Sequence, residues 1–285
     1  MSEDQPASLA GLRRLIFSPD VPLARQRVRF AAAVTGRVAP GVARATLRLG
    51  GVPVERWTPP GAAPDRVIVY VHGGGYCLGS PAMGRELGSS LAVAWSASVV
   101  APLYRLAPEH PCPAAVEDVA AVLGALAGPV VLGLADSAGA GALLAATAER
   151  PGALGAQVLV SPWLDLARDV SASADLAARD ALVSPAWLAA CARHYAPEPR
   201  DPRASPLRGA RRALVPTLVV GTDDDLLAPD AAALARWPGV ELREWPGQWH
   251  DFALTPSRST AAAEARDVIA AFGTRVLGWD GAVSR

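Results

Sequence analysis

The strand-to-helix junction at residues 130–142 constrains the fold of this chain more than any other stretch. An apolar run from Val130 to Leu134 has the length and composition of a buried strand, and small residues that favour a closely packed helix follow Ser137. Since a serine in so abrupt a turn is held out from the backbone, its neighbours must be small, as in the pattern G-x-S-x-G. The stretch therefore predicts a nucleophile elbow, with Ala135 in place of the first glycine. The alternative is a serine that caps an ordinary helix.

Strand-like and helix-like runs alternate along most of the rest of the chain. Strands are predicted at residues 43–49, 52–58, 67–71, 98–102, 130–134, 157–160, 215–221 and 240–245. Helices are predicted at residues 9–17, 23–34, 114–126, 138–146, 230–237 and 260–277. The alternation predicts an α/β fold in which helices cover both faces of a mostly parallel, eight-stranded sheet.

One interval, residues 162–212, departs from this alternation. It is helical in parts, rich in Ala, Asp, Arg and Pro, and contains no strand-like run. We expect it to lie over the carboxyl edge of the sheet, where the sites of open α/β folds are found. The predicted organisation is a helical cap, made of N-terminal helices within residues 1–45 and the insertion 162–212, on a core formed by residues 46–161 and 213–285.

Composition argues against several classes of function. Acidic and basic residues balance at 27 each and do not cluster, so nucleic acid and anionic membranes are not expected partners. The cysteines, Cys77, Cys112 and Cys191, are widely spaced, which argues against a disulfide framework or a zinc site. The chain has no lysine, no secretory signal pattern at its polar N-terminus and no long apolar span. We expect a cytoplasmic protein that needs no metal or cofactor.

A glycine-rich segment, His72-Gly73-Gly74-Gly75-Tyr76, directly follows the buried strand 67–71. Three successive glycines suit a backbone that must approach another group closely or adopt positive φ. Such a loop can present N–H groups to an oxyanion, together with the N–H of Ala138. The alternatives are a flexible turn or a phosphate loop, and the second would normally carry a lysine. His72 is expected to orient the loop through a backbone hydrogen bond.

A serine nucleophile also needs a base and a carboxylate that orients the base. Of the four histidines, His250 alone lies between the last predicted strand and the closing helix, which places it at the same sheet edge as Ser137. The carboxylate is expected after strand 215–221, where Asp223, Asp224 and Asp225 stand in a row. Spacing does not choose among the three aspartates. The resulting order of serine, aspartate and histidine is that of α/β-hydrolases.

Four blocks of sequence together resemble the hormone-sensitive-lipase-like esterase family of the α/β-hydrolases. They are His72–Tyr76, Tyr104–Pro111, Asp136–Gly139, and Asp201-Pro202 with Ser205-Pro206-Leu207. The similarity extends from about Val67 to the C-terminus, and the first 45 residues match only as a helical cap.

The resemblance implies a role for each motif residue. It implies Ser137 as nucleophile and His250 as base. It also implies Asp224 as the acid of the triad, because Asp224 stands two residues before the leucine of a D-x-L block. Asp223 and Asp225 remain the alternatives for this acid. The implied donors to the oxyanion are the N–H groups of Gly74, Gly75 and Ala138, with Gly73 keeping the loop in shape. Glu109 and Asp118 are implied to be structural hydrogen-bonding residues.

The expected activity is hydrolysis of a small-molecule carboxylic ester, with a short acyl chain, through an acyl-enzyme. Alternatives on the same site are an acyltransferase, a lactonase or a cyclase of a biosynthetic pathway. A different class of function is a non-catalytic ligand receptor of this fold. A receptor would not need the complete set of Ser137, His250 and Asp224, so their presence argues against it. Three aromatic residues of the insertion could line an apolar pocket or pack inside the cap: Trp163, Trp187 and Tyr195. The resemblance also allows a homodimer through the sheet edge at residues 240–245.

Overall fold

The computed structural model describes residues 9–126, 128, 130–211 and 214–279. Its centre is one eight-stranded sheet with the spatial order β1-β2-β4-β3-β5-β6-β7-β8. The strands are β1 (Ala43–Leu49), β2 (Val52–Thr58), β3 (Arg66–Val71), β4 (Ser98–Pro102), β5 (Val130–Asp136), β6 (Ala156–Val160), β7 (Thr217–Gly221) and β8 (Val240–Glu244). All eight lie at positions that the sequence predicts.

The sheet is parallel from β4 through β8 and antiparallel at its first edge. β1 pairs with β2, and β2 with β4, in antiparallel fashion, whereas the pairs from β3–β4 to β7–β8 are parallel. Gly50 and Gly51 have φ of +56° and +82° and form the turn between β1 and β2, as expected of a two-residue hairpin that requires positive φ. The predicted α/β fold with a mostly parallel, eight-stranded sheet is confirmed.

Helices cover both faces of the sheet. They are α1 (Leu9–Leu15), α2 (Leu23–Ala33), α3 (Arg85–Trp95), α4 (Ala114–Gly124), α5 (Ser137–Glu149), α6 (Ala174–Arg179), α7 (Pro185–Tyr195), α8 (Ala228–Leu234) and α9 (Thr260–Leu277). The predicted helices do not include α3, although three apolar residues recur in it at four-residue intervals and are buried: Leu87, Leu91 and Trp95. Among the described helices, none is long and apolar enough to span a membrane.

Each face of the sheet has its own hydrophobic core, and the central strand β3 contributes to both. Val69 and Val71 belong to the core beneath α4, α5 and α8, whereas Ile68 and Tyr70 belong to the core beneath α3 and α9. All four side chains are fully buried. This explains why β3 is continuously apolar instead of alternating between apolar and polar residues.

The N-terminal helices pack against the 162–212 insertion. Trp187 of α7 donates an indole hydrogen bond of 2.9 Å to Gln26 of α2, and its ring meets that of Phe17 edge-on at 4.9 Å. Arg13 of α1 donates to the backbone oxygen of Asp180. The two segments that we interpret as a cap thus contact each other directly. Strand β1 begins at Ala43, so the last residues of the proposed 1–45 segment are part of the sheet.

Candidate active site

Ser137 lies at the sharp turn between β5 and α5. Its φ of +47° is in the left-handed region, which is strained for a side chain other than glycine and typical of a nucleophile elbow. The helix must pass very close to β3 at this turn, because a Cβ added at Gly139 would lie 2.2 Å from the carbonyl oxygen of Val71. Ala135, in place of the usual glycine, is fully buried in the core and fits there.

His250 follows β8 and reaches Ser137 across the carboxyl edge of the sheet. Its Nε2 lies 3.0 Å from Oγ of Ser137, within hydrogen-bonding distance. Its Nδ1 lies 2.7 Å from Oδ2 of Asp225. An N–H at Nδ1 that donates to this carboxylate leaves Nε2 free to accept the serine proton. The structure therefore brings together a serine, a histidine and an aspartate in the geometry of a catalytic triad.

The carboxylate in this arrangement is Asp225, so the assignment of Asp224 is wrong. The side chain of Asp225 is 2% exposed and bonds to His250, whereas the side chain of Asp224 is 20% exposed and forms an ion pair with Arg179. Successive residues of the turn after β7 point in different directions, and a second bond fixes Asp225, whose Oδ1 accepts the N–H of Leu227 at 2.8 Å. The D-x-L pattern fits Asp225 with Leu227 as well as it fits Asp224 with Leu226.

Carboxylates dominate the electrostatics around His250. Burial lowers the pKa of His250, but Asp225 and Asp251 outweigh it and raise the pKa above its usual value. Asp180, from the loop between α6 and α7, also faces this cluster, and its Oδ2 accepts the N–H of Leu226 at 2.9 Å. Burial and the charge of Asp225 raise the pKa of Asp180 to about 6. This environment stabilises the imidazolium that forms when His250 takes a proton.

The glycine loop adjoins Ser137, because a Cβ added at Gly73 would lie 2.9 Å from Cβ of Ser137. The φ of Gly74 is +102° and that of Gly75 is +62°. A Cβ at Gly74 would lie 2.5 Å from the carbonyl oxygen of Leu78, so only glycine fits there. No described residue accepts a hydrogen bond from the N–H of Gly74 or Gly75. Ala138 is the second residue of α5, where helical N–H groups have no partner in the helix.

Neighbouring side chains hold the glycine loop in place. Gly73 donates its N–H to Oδ2 of Asp136 at 2.8 Å and is therefore not available to an oxyanion, in agreement with a structural role. His72 Nδ1 lies 2.8 Å from the carbonyl oxygen of Gly73, and its ring stacks on Tyr104 at 4.2 Å. Burial lowers the pKa of His72 to about 4, so the ring is neutral and donates from Nδ1. The hydrogen bond from His72 to the carbonyl oxygen of Gly73 agrees with the expected role of His72 in orienting the loop.

Two further acidic residues occupy the structural positions that the resemblance implies. Asp118 of α4 accepts the backbone N–H of Arg105 at 2.8 Å and also binds its guanidinium group. Glu109 forms a two-pronged ion pair with Arg27 of α2, with both distances 2.7 Å. Arg27 also donates to the carbonyl oxygen of Cys77, just beyond the glycine loop. These contacts tie the N-terminal helices to the segment that carries the unbonded amides.

A cavity of about 430 Å³ opens onto Ser137 and His250. Its wall is formed by α1, α2 and residues 33–37 on one side, and by Leu182, Val183 and Trp187 of the insertion on another. Of the three aromatic residues considered for a pocket, only Trp187 lines this cavity. Tyr195 instead stacks on Tyr76 with ring centroids 3.6 Å apart, and Trp163 lies in the core.

The described ranges offer no ligand set for a metal ion. Within them, no group of three or more His, Cys, Asp or Glu side chains has a suitable arrangement. The three cysteines are free thiols.

Comparison with known proteins gives matches along most of the chain. The α/β-hydrolase fold family matches residues 68–254. LipR of Mycobacterium tuberculosis is 36% identical over 95% of this chain and 92% of its own length. An acetyl-hydrolase of Streptomyces hygroscopicus is 39% identical over 68% of this chain and 70% of its own. The crystal structure of an esterase from the bacterial hormone-sensitive lipase family superposes with a TM-score of 0.84, at 28% identity, over 95% of this chain and 96% of that one.

Proposed function

Since this chain belongs to the α/β-hydrolase fold family and is an enzyme of the esterase type, we propose that it hydrolyses carboxylic esters with short acyl groups through an acyl-enzyme on Ser137. The observation that carries the proposal is the continuous chain of contacts from Ser137 Oγ through His250 to Asp225, with distances of 3.0 Å and 2.7 Å. All three side chains are buried, and Ser137 and His250 line one open cavity.

In the acylation step, Ser137 Oγ attacks the ester carbonyl carbon while His250 Nε2 takes the serine proton. The charge that develops on the carbonyl oxygen is stabilised by the N–H groups of Gly74, Gly75 and Ala138. His250 then returns the proton to the departing alkoxide, which leaves as an alcohol. Asp225 holds Nδ1–H and stabilises the imidazolium throughout.

Deacylation repeats these steps with water as the nucleophile. His250 removes a proton from water, the hydroxide adds to the acyl carbon, and the second tetrahedral anion occupies the same amides. Collapse of this anion releases the carboxylic acid and returns the proton to Ser137. The left-handed backbone at Ser137 keeps the oxygen fixed between base and amides during both halves of the reaction.

The preference for short acyl groups is supported by the likeness to an acetyl-hydrolase and by the crowding around the glycine loop. A Cβ added at Gly75 would lie 2.8 Å from Sγ of Cys191 and 2.9 Å from the ring of Trp187, so α7 packs closely against the loop. This packing leaves little room for a long chain beside the amides.

Hydrolysis of p-nitrophenyl esters of graded acyl length tests the proposal. Wild type should turn over the acetate and butyrate esters faster than the decanoate, and Ser137→Ala should lose the activity. Ser90→Ala is the matched control, since this serine lies on α3 and bonds to the carbonyl oxygen of Leu87. Equal, slow rates in wild type and Ser137→Ala would favour a binding protein. Turnover that requires an added alcohol or amine would favour acyl transfer.

A further inference from the structure

Asp180 lies in the 162–212 insertion, between α6 and α7, and only 2% of it is exposed. Its Oδ1 accepts the backbone N–H groups of Leu182 and Val183, both at 2.9 Å, which fixes the chain that leads into α7. Leu182 and Val183 line the cavity that opens onto Ser137. One oxygen of this carboxylate therefore shapes the wall of the cavity.

The other oxygen of Asp180 reaches out of the insertion to the turn that carries the triad acid. Oδ2 accepts the N–H of Leu226 at 2.9 Å, across 46 positions of the chain. Leu226 directly follows Asp225, and the next N–H, that of Leu227, donates to Oδ1 of Asp225 at 2.8 Å. Two carboxylates thus accept two successive N–H groups of one turn. A turn within the insertion would not need the bond to Leu226.

A second side chain of the insertion holds Leu226 from its carbonyl side. Nη2 of Arg168 donates to the carbonyl oxygen of Leu226 at 3.0 Å, and Nε of Arg168 donates to Asp230 at 2.8 Å. Leu226 is itself fully buried. Charged side chains of the insertion therefore bind both polar backbone groups of this residue, so the turn after β7 depends on the insertion for its conformation.

The surroundings of Asp180 favour a charged carboxylate near neutral pH. In the described ranges, its two oxygens accept three backbone N–H groups, which stabilise the ionised form. Burial and the charge of Asp225 oppose ionisation and raise the pKa of Asp180 to about 6. The guanidinium of Arg13, on α1, also faces this residue, since it donates to the backbone oxygen of Asp180.

We propose that Asp180 is a positioning residue through which the insertion holds Asp225 in line with His250. Its two oxygens join the wall of the cavity to the turn of the acid, so the same carboxylate shapes the pocket and supports the triad. The inference rests on the proposed ester hydrolysis, in which Asp225 must keep the proton of His250 on Nδ1.

Steady-state kinetics of two substitutions at position 180 test this role. Asp180→Asn can keep its oxygen on the two N–H groups of the cavity wall, and its NH₂ group then opposes the N–H of Leu226. Asp180→Ser keeps a hydroxyl acceptor for the wall and leaves Leu226 without its carboxylate. Each variant should lower kcat by about 10- to 100-fold and change KM by less than about threefold, since the acid is misaligned while the wall is kept. Asp175→Asn, an exposed acid on α6, is the matched control and should retain both values.

The pH profile separates a positioning role from a merely structural one. Burial lowers the pKa of His250, and three nearby carboxylates outweigh this effect: Asp225, Asp251 and Asp180. Asp136, at the end of β5, also interacts with this histidine. Both variants at position 180 remove one of these charges and loosen the turn of Asp225, so the acid limb of kcat/KM should move to lower pH than in wild type. A variant that only loosened the insertion would keep the acid limb of wild type.

Proton NMR gives a readout that does not depend on turnover. The Nδ1–H that His250 donates to Asp225 at 2.7 Å should give a downfield resonance in wild type, and Asp225→Asn should lose it. Asp180→Asn and Asp180→Ser should shift or weaken this resonance, whereas Asp175→Asn should leave it unchanged.

A folded variant at position 180 with the acid limb and the downfield resonance of wild type would overturn the inference, whatever its kcat. Such a result would mean that the bond to Leu226 supports the insertion and not the acid. If wild type hydrolyses no ester, the proposed function fails, and the resonance still decides whether Asp180 holds Asp225.

Discussion

Replacement of Asp225 by asparagine tests the corrected position of the triad acid. The substitution keeps the shape of the side chain but removes its charge, and the amide can turn its NH₂ group toward Nδ1 of His250. The imidazole then carries its proton on Nε2, 3.0 Å from Oγ of Ser137, where it can no longer accept the serine proton. Asp224→Asn is the matched control, one residue earlier in the same turn.

The expected losses differ by orders of magnitude. In a triad of this geometry, loss of the correct tautomer lowers kcat by about 10⁴-fold. At about 1.36 kcal/mol per factor of ten, this loss corresponds to an increase of about 5.4 kcal/mol in the activation free energy. Asp224 contacts Arg179, whose side chain is 47% exposed, and an ion pair of this kind contributes at most about 1 kcal/mol to stability. Asp224→Asn should therefore change kcat by less than about twofold, since it touches neither His250 nor the amides.

The assay is hydrolysis of p-nitrophenyl acetate at the pH optimum of wild type, with thermal unfolding of each variant measured in parallel. The two variants should unfold cooperatively, so that a difference in kcat reports on chemistry. A large loss in Asp224→Asn together with near-normal kcat in Asp225→Asn would refute the assignment. It would mean that the turn after β7 rearranges in solution and brings Asp224 to His250.

Three other predictions follow from the same contacts. The apparent pKa of the acid limb in a plot of kcat/KM against pH should lie above the usual histidine value of about 6.5. The reason is that neighbouring carboxylates raise the pKa of His250, which must be neutral to act as the base. An apparent pKa below about 6.5 would contradict this prediction. Gly74→Ala, whose Cβ would meet Leu78, should lower kcat by at least about 100-fold in ester assays. Arg168→Met leaves Asp230 buried without its 2.8 Å partner and should cost about 3–5 kcal/mol in urea unfolding.

The site was predictable from sequence wherever local geometry alone fixes the residue. The elbow at Ser137 follows from small residues between a strand and a helix, and the run of glycines follows from close backbone approach. His250 follows from its position after the last strand. In each case a rule about neighbouring residues was sufficient, because the surrounding sheet edge is common to open α/β folds.

Other features depend on tertiary contacts that no local pattern contains. The choice of Asp225 over Asp224 depends on which way two adjacent side chains of a turn point, and two leucines make the D-x-L pattern ambiguous. Asp251 and Asp180 were not singled out, because their importance arises only when distant segments converge on His250. The one sequence signal for Asp251 is its position next to the histidine.

The most direct test of the account is covalent labelling of the nucleophile with a fluorophosphonate, followed by peptide mass spectrometry. We predict one adduct per chain, on the peptide that contains Ser137, formed in step with the loss of esterase activity and absent from Ser137→Ala. Failure of wild type to be labelled while it still hydrolyses esters, or an adduct on a different residue, would contradict the claim that Ser137 carries the acyl group.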